Sequence, residues 1–276
     1  MVKKDISETE SRLRDRLDRM KKMADELNKL EIVELAKLDR YIRIGGESFR
    51  AVSLREDYPL CGCAKSGTRQ LATIDRHFKK CEGKLPMHVL EKKKERKLQC
   101  WIIKQSLINN RNMMIFLNKA KGCFDELVFA LDEVSLGDKK NPVAKINGLR
   151  LNGSPMAVRC DLLAVGSKDG KTFPVLIELK SSRNKKDLIA QIDNFAELIC
   201  RFKDCFIPLL ETCTGLQIND YNPRKIIVWP TPQQQNSITQ KHLNFLTNIG
   251  ISILEYNDSV ENNISSRYVF NAHWAK

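Results

Sequence analysis

Residues 157–166, AVRCDLLAVG, and residues 173–181, FPVLIELKS, carry the pattern that decides the fold. In the second stretch, period-two alternation places Phe173, Val175, Ile177 and Leu179 on one face of a strand and Leu176, Glu178 and Lys180 on the other. An acid and a base therefore stand side by side at the end of an apolar strand. In the first stretch Asp161 sits among apolar residues, where an unpaired carboxylate is costly to bury. Lys168-Asp169-Gly170 reads as a hairpin turn joining the two, so Asp161 and Glu178 converge at one end of a sheet. Two carboxylates held together invite a divalent cation. A structural salt bridge from Lys180 to Asp161 or Glu178 satisfies the same burial argument, and the two strands alone do not separate the readings.

The neighbouring elements extend the pattern. Residues 98–133 read as helical, with an interruption near Lys121 and Gly122, followed by strands at 144–151, 157–165 and 173–180. A helix over 186–204, a strand at 224–230, a helix over 236–248 and a strand at 251–256 complete an α/β sandwich around a mixed sheet. The catalytic domain is expected to span 98–276.

An aspartate, sixteen intervening residues and then Glu178-Leu179-Lys180, within a helix–meander–helix–strand order, resembles the PD-(D/E)XK nuclease superfamily with its restriction-endonuclease-like fold. The resemblance covers residues 98 to 256, with Cys160 standing where the name-giving proline would be. It implies that Asp161 and Glu178, helped by the main-chain carbonyl of Leu179, hold Mg²⁺ or Mn²⁺. It further implies that Lys180 orients or deprotonates the attacking water. Members often add a glutamate from the helix before the meander. Here Glu126 and Glu133, seven residues apart on one expected helical face, are the candidates, and Glu126 fits the pattern better. Gln191 and Phe195 are similar to a Gln-x-x-x-Tyr signature of related members, and this places Gln191 at the catalytic centre. Ser181, Lys185 and Lys186 follow the triplet as expected nucleic-acid contacts.

The first hundred residues read differently. Between positions 6 and 43 there is neither Pro nor Gly, and Leu13, Leu17, Met20, Ala24 and Leu27 recur at spacings of four and three. This predicts a long amphipathic helix ended by Gly45-Gly46, which makes 1–46 a candidate coiled-coil arm for a homodimer. Residues 47–97 are rich in Cys and basic residues and too small to bury a core without a staple. Cys61, Cys63, His77 and Cys81 form C-x-C, thirteen residues, then H-x3-C, which suits a closed, structural Zn²⁺ site like a Cys-Cys-His-Cys finger.

Forty-seven Lys+Arg against 34 Asp+Glu leave a formal charge of +13, which favours a polyanionic partner, double-stranded DNA first. Nine cysteines, an odd number, behind a charged opening MVKKDISETESRLRDR predict an intracellular, reducing compartment, cytoplasmic in a prokaryote. No apolar run approaches the roughly 18 residues that cross a bilayer. There is no G-x4-G-K-[ST] loop and no nucleophile motif around the four histidines, so a P-loop NTPase or serine hydrolase has no support. The expected function is a metal-dependent nuclease, a DNA endonuclease of restriction, defence or recombination type. The alternative is a non-catalytic zinc-containing nucleic-acid-binding or adaptor protein on the same fold.

Overall fold

The computed structural model describes residues 2–55, 60, 68–74, 78, 94–117, 123–183, 187–232, 237–258 and 268–275. Cys61, Cys63, His77 and Cys81, with most of the expected zinc module, lie outside them, as do Lys185 and Lys186.

Helix α1 (Val2–Leu27) opens the chain, followed by the short helix α2 (Ile32–Lys37) and a hairpin of β1 (Arg40–Ile44) and β2 (Phe49–Ser53). Helix α3 (Lys94–Ile108) precedes three antiparallel strands, β3 (Glu126–Leu136), β4 (Val158–Lys168) and β5 (Lys171–Leu179). Helices α4 (Leu188–Arg201) and α5 (Lys203–Thr214) lead to β6 (Arg224–Pro230), α6 (Ser237–Asn248), β7 (Ile251–Asp258) and β8 (Tyr268–His273). The main sheet runs β3-β4-β5-β6-β7-β8, with parallel pairing of β5–β6 and β6–β7 and antiparallel pairing elsewhere. It is a mixed six-stranded sheet flanked by helices. Among the described residues no helix is long and apolar enough to cross a membrane.

The alternation read in β5 sorts its side chains between two cores. Phe173, Val175, Ile177 and Leu179 join the layer that holds α3, whereas Leu176 joins the layer of α1, α4 and α5. Lys168 pairs with Lys171 across Asp169 and Gly170, whose φ angles of 50° and 75° are those a two-residue type I′ turn demands. Pro174 is tolerated because it pairs with β4 only, and the ladder to β6 begins one residue later.

Three expectations are corrected. The segment ending at Glu133 is a strand, not a helix. Leu127 and Phe129 face one core while Leu131, Val134 and Leu136 face the other, so β3 is apolar on both sides and its period-two signal is erased. The strand expected at 144–151 is a 3₁₀ turn at Val143–Lys145 followed by loop, with Gly148 at φ 75° breaking the alternation. The helix expected over 6–43 stops at Leu27, because the alternating run RYIRI forms β1 and Gly45-Gly46 turns the hairpin into β2.

The apolar stripe of α1 is also placed differently from a dimerisation arm. Leu13, Leu17, Met20, Ala24 and Leu27 are all buried within the chain's own core. Polar contacts to the α5 layer fix the helix there: Arg14 pairs with Asp204 and lies 5.1 Å over Phe202, and Asn28 Nδ2 donates to the Thr212 carbonyl at 2.6 Å. The stripe that a second chain would need is already covered.

Candidate metal and catalytic centre

The β4–β5 ladder ends at the pair Leu162–Ile177, so Asp161 and Glu178 occupy the next opposed positions, just beyond it. Both are buried, at 9% and 1% exposure. With no further ladder to join, the Leu179 N–H donates to Asp161 Oδ2 at 2.8 Å. The N–H and C=O of a strand residue point to the same side, so the Leu179 carbonyl is directed toward Asp161's strand as well. Lys180 Nζ lies 2.7 Å from Glu178 Oε1 and 3.8 Å from Asp161 Oδ2, and the Lys180 N–H donates to the Val228 carbonyl, continuing the pairing with β6. Asp161, Glu178, Leu179 and Lys180 are thus brought together as the strand pattern predicts.

Helices on both sides of the sheet complete the centre. From α4, Gln191 Nε2 donates to Glu178 Oε1 and, at 3.3 Å, to the Arg159 carbonyl. From α3, the buried Gln99 Nε2 donates to the Asp161 carbonyl at 3.1 Å. One turn earlier, Glu95 Oε2 accepts the Ser181 N–H at 3.3 Å, and its charge acts on Asp161 and Lys180. Phe195 is core, edge-on to Phe206 at 6.0 Å. Arg183, just past the triplet, lies 5.0 Å over Trp229 and pairs with buried Glu255, tying the following loop to β6 and β7.

The helix carboxylate is where expectation and structure part. Glu126 is exposed and pairs with Ser167, six residues along β4 from Asp161. At about 3.3 Å per residue that is roughly 20 Å away. Glu133 lies between the pairs Asp132–Leu162 and Val134–Cys160, level with Asp161, but it is on a strand and in a left-handed conformation at φ 49°. The helix before the meander is α3, and its carboxylate is Glu95. The spacing of Glu95 and Gln99, i and i+4 at the head of a helix, was the available signal, with Glu95 hidden inside the charge run EKKKERK and Gln99 just past it.

Comparisons with family models, curated proteins and solved structures found no match for this chain. The reading of the centre therefore rests on its own chemistry.

Burial, and then the charge of Glu178, push the Asp161 carboxyl up to about 8, against the pull of Lys180 and the Leu179 N–H. Burial likewise raises Glu178, against Lys180. Lys180 is raised despite its own burial because both carboxylates favour its charged form. Cys160 is a neutral thiol, raised by burial and by the same two acids. Among the described residues no group of three or more His, Cys, Asp or Glu converges as a full metal cage. Two carboxylates and a carbonyl nonetheless fit Mg²⁺, which keeps several waters and is often held by one or two carboxylates plus substrate phosphate.

The raised acids set a pH dependence. Because the folded state holds the Asp161 proton more tightly than the unfolded chain, that contribution to stability is full below about pH 4. It is lost as pH rises through about 8. A cation that needs the deprotonated pair competes with the proton, so its stabilising effect grows over the same window. Mg²⁺ should therefore raise Tm more at pH 8.5 than at pH 6, by on the order of 5 °C. Equal increments at both pH values, measured by differential scanning fluorimetry, would remove the pair as the cation site.

Proposed function

We propose that this chain is a metal-dependent nuclease of the restriction-endonuclease-like fold that hydrolyses phosphodiester bonds in double-stranded DNA. The observation that carries the reading is the buried pair Asp161–Glu178 at the end of one hairpin, with Lys180 held between the two carboxylates. The order α3, then the β3–β4–β5 meander, then α4 and β6 supports the fold reading, and the formal charge of +13 supports a nucleic-acid substrate. The non-catalytic alternative leaves two raised, buried acids without a task, and such groups concentrate at functional sites.

Asp161, Glu178 and the Leu179 carbonyl would hold Mg²⁺ or Mn²⁺. When bound, the ion acidifies a water and neutralises charge on the scissile phosphate. The chain's own groups do the rest. Gln191 and the Leu179 N–H hold the two carboxylates in register, so that no reorganisation is needed when substrate arrives. Lys180, kept cationic by its neighbours, serves as a fixed positive charge that orients the attacking oxygen and the phosphate; its raised pKa makes it a poor resting base. Glu95, one turn before Gln99, supplies an acceptor at the mouth of the site. The zinc proposal for Cys61, Cys63, His77 and Cys81 stands on their spacing alone.

The deciding experiment incubates purified protein with plasmid, linear duplex, single-stranded DNA and RNA, in Mg²⁺, Mn²⁺ or EDTA, beside Asp161→Ala and Lys180→Ala. Metal-dependent cleavage that drops by about 10²-fold or more in both variants is expected. Cleavage that survives both substitutions would refute the site.

A further inference from the structure

A second charged feature lies at the same end of the sheet. Past the last residue of β3, the chain turns at Gly137 and passes the first half of α1, and together they border an open cleft of about 290 Å³. Arg12, Arg16 and Arg19 line it from α1, spaced four and three residues apart and so on one helical face. Asp138, Asn141 and Val143 line the other wall.

The arginines are not equally engaged. Arg12 donates to Asn141 Oδ1 at 3.0 Å and pairs with Glu8, and Arg19 pairs with Glu47 at 3.3 Å. Arg16, in the middle, makes no hydrogen bond among the described residues, and its Nε is buried without an acceptor. Its guanidinium lies against Gly46, where a Cβ would come within 2.6 Å of Nε and Nη2 and push the guanidinium aside, and the φ of 78° favours glycine there. Burial lowers the Arg16 pKa, and the charges of Arg19 and Arg50 add to that against Glu47 and Asp138. Asp138 does not supply the missing acceptor. Its Oδ1 is occupied by the N–H groups of Lys140 and Asn141, at 2.8 and 2.9 Å. The guanidinium is half-buried, and its buried Nε without an acceptor is satisfied by an anion that brings its own oxygens.

The surroundings indicate which anion. Residues 137–157, joining β3 to β4, carry Lys139, Lys140, Lys145 and Arg150, and Arg159 follows at the start of β4; all five are exposed, and Asp138 is the one acid among these residues. Val158, where β4 begins, pairs with Leu136 beside the cleft, and Asp161 follows three residues later. At about 3.3 Å per residue and about 4.8 Å between strands, the cleft and the carboxylates are on the order of 15 Å apart along one edge. That is about four base steps of a duplex at ~3.4 Å each.

We propose that the Arg12–Arg16–Arg19 cleft is a phosphate-binding site that grips the polynucleotide backbone a few nucleotides from the bond held at Asp161 and Glu178. The identity of the polyanion rests on the nuclease reading; the cleft itself does not. Arg16 is the central contact, with Arg12 at the exposed rim.

The test is fluorescence anisotropy of a labelled DNA duplex, and of an RNA duplex of the same sequence, in EDTA over a salt series. Wild type, Arg16→Gln and Arg12→Glu are compared. Arg16→Gln and Arg12→Glu should each weaken binding roughly 5- to 10-fold and lower the slope of log Kd against log salt by about 1. Equal losses on DNA and RNA support backbone phosphate as the ligand. Unchanged affinity and slope in both arginine variants, or no binding of either duplex by wild type, overturns the proposal. Should Arg16→Gln fail to fold, the exposed Arg12→Glu decides alone. If wild type cleaves while the arginine variants bind normally, the cleft falls and the nuclease stands; if they lose binding while wild type never cleaves, the reverse holds.

Discussion

Glu178→Gln is expected to lower cleavage by at least about 10³-fold while leaving the fold intact. The substitution keeps shape and volume but removes one of the two charges that a cation would need. Glu178 is 1% exposed and receives Lys180 at 2.7 Å and the Gln191 amide, so it has no route to a compensating solvent contact. In the metal-free protein the same change relieves a raised, buried acid that repels Asp161, so stability should hold or rise. Loss of activity with an unchanged or higher Tm is the signature of a site that sacrifices stability for chemistry. Cleavage within about threefold of wild type would show that Glu178 is only a salt-bridge partner of Lys180, the reading that the two strands left open.

The second large effect concerns stability. Asp132 is buried at 1% exposure on β3; Arg43 Nε lies 2.7 Å from its Oδ2, and the Tyr41 hydroxyl donates to its Oδ1 at 2.7 Å. Burial works against the Arg43 charge, but Asp132 outweighs it and the guanidinium is raised above its ordinary value. Burial and then Asp132 likewise raise Tyr41. This network bolts the β1–β2 hairpin to the main sheet at the residue paired with Leu162, next to Asp161. Removing one partner leaves the other desolvated and uncompensated, so Asp132→Ala should cost about 3–5 kcal/mol and lower Tm by roughly 10 °C. The double variant Asp132→Leu with Arg43→Met, which removes both charges, should recover more than half of that loss in denaturant titrations. A single-variant loss below about 1 kcal/mol would mean that the ion pair is energetically neutral.

Legibility followed the local physics of each element. β5 and β6 could be read because FPVLIEL and RKIIVWP are short apolar runs bounded by turn residues. The hairpin at Asp169-Gly170 was visible because its turn chemistry is nearly unique. β3 was not legible as a strand: packed on both faces, ELVFALDEV lacks alternation and equally suits a buried helix. That single ambiguity misplaced the helix carboxylate onto Glu126. β8 was not read from the sequence, although Tyr268 and Phe270, buried around exposed Val269, carry a short period-two signal. The α1 stripe was read correctly as apolar, yet periodicity states only that a face must be buried and not by what.

The sequence by itself determined which side chains meet at the centre. Asp161, Glu178 and Lys180 are adjacent because strand alternation and a two-residue turn bring them together, and both are local properties of the chain. The tertiary structure decided what surrounds them. Glu95 and Gln99 reach the site from α3, Gln191 from α4, and Arg16 lies in a cleft with the β3–β4 connection 120 or so positions away. Those meetings depend on how helices settle on the two faces of the sheet. That is a question of packing between segments far apart in the chain, on which the residues of each segment taken separately impose no condition.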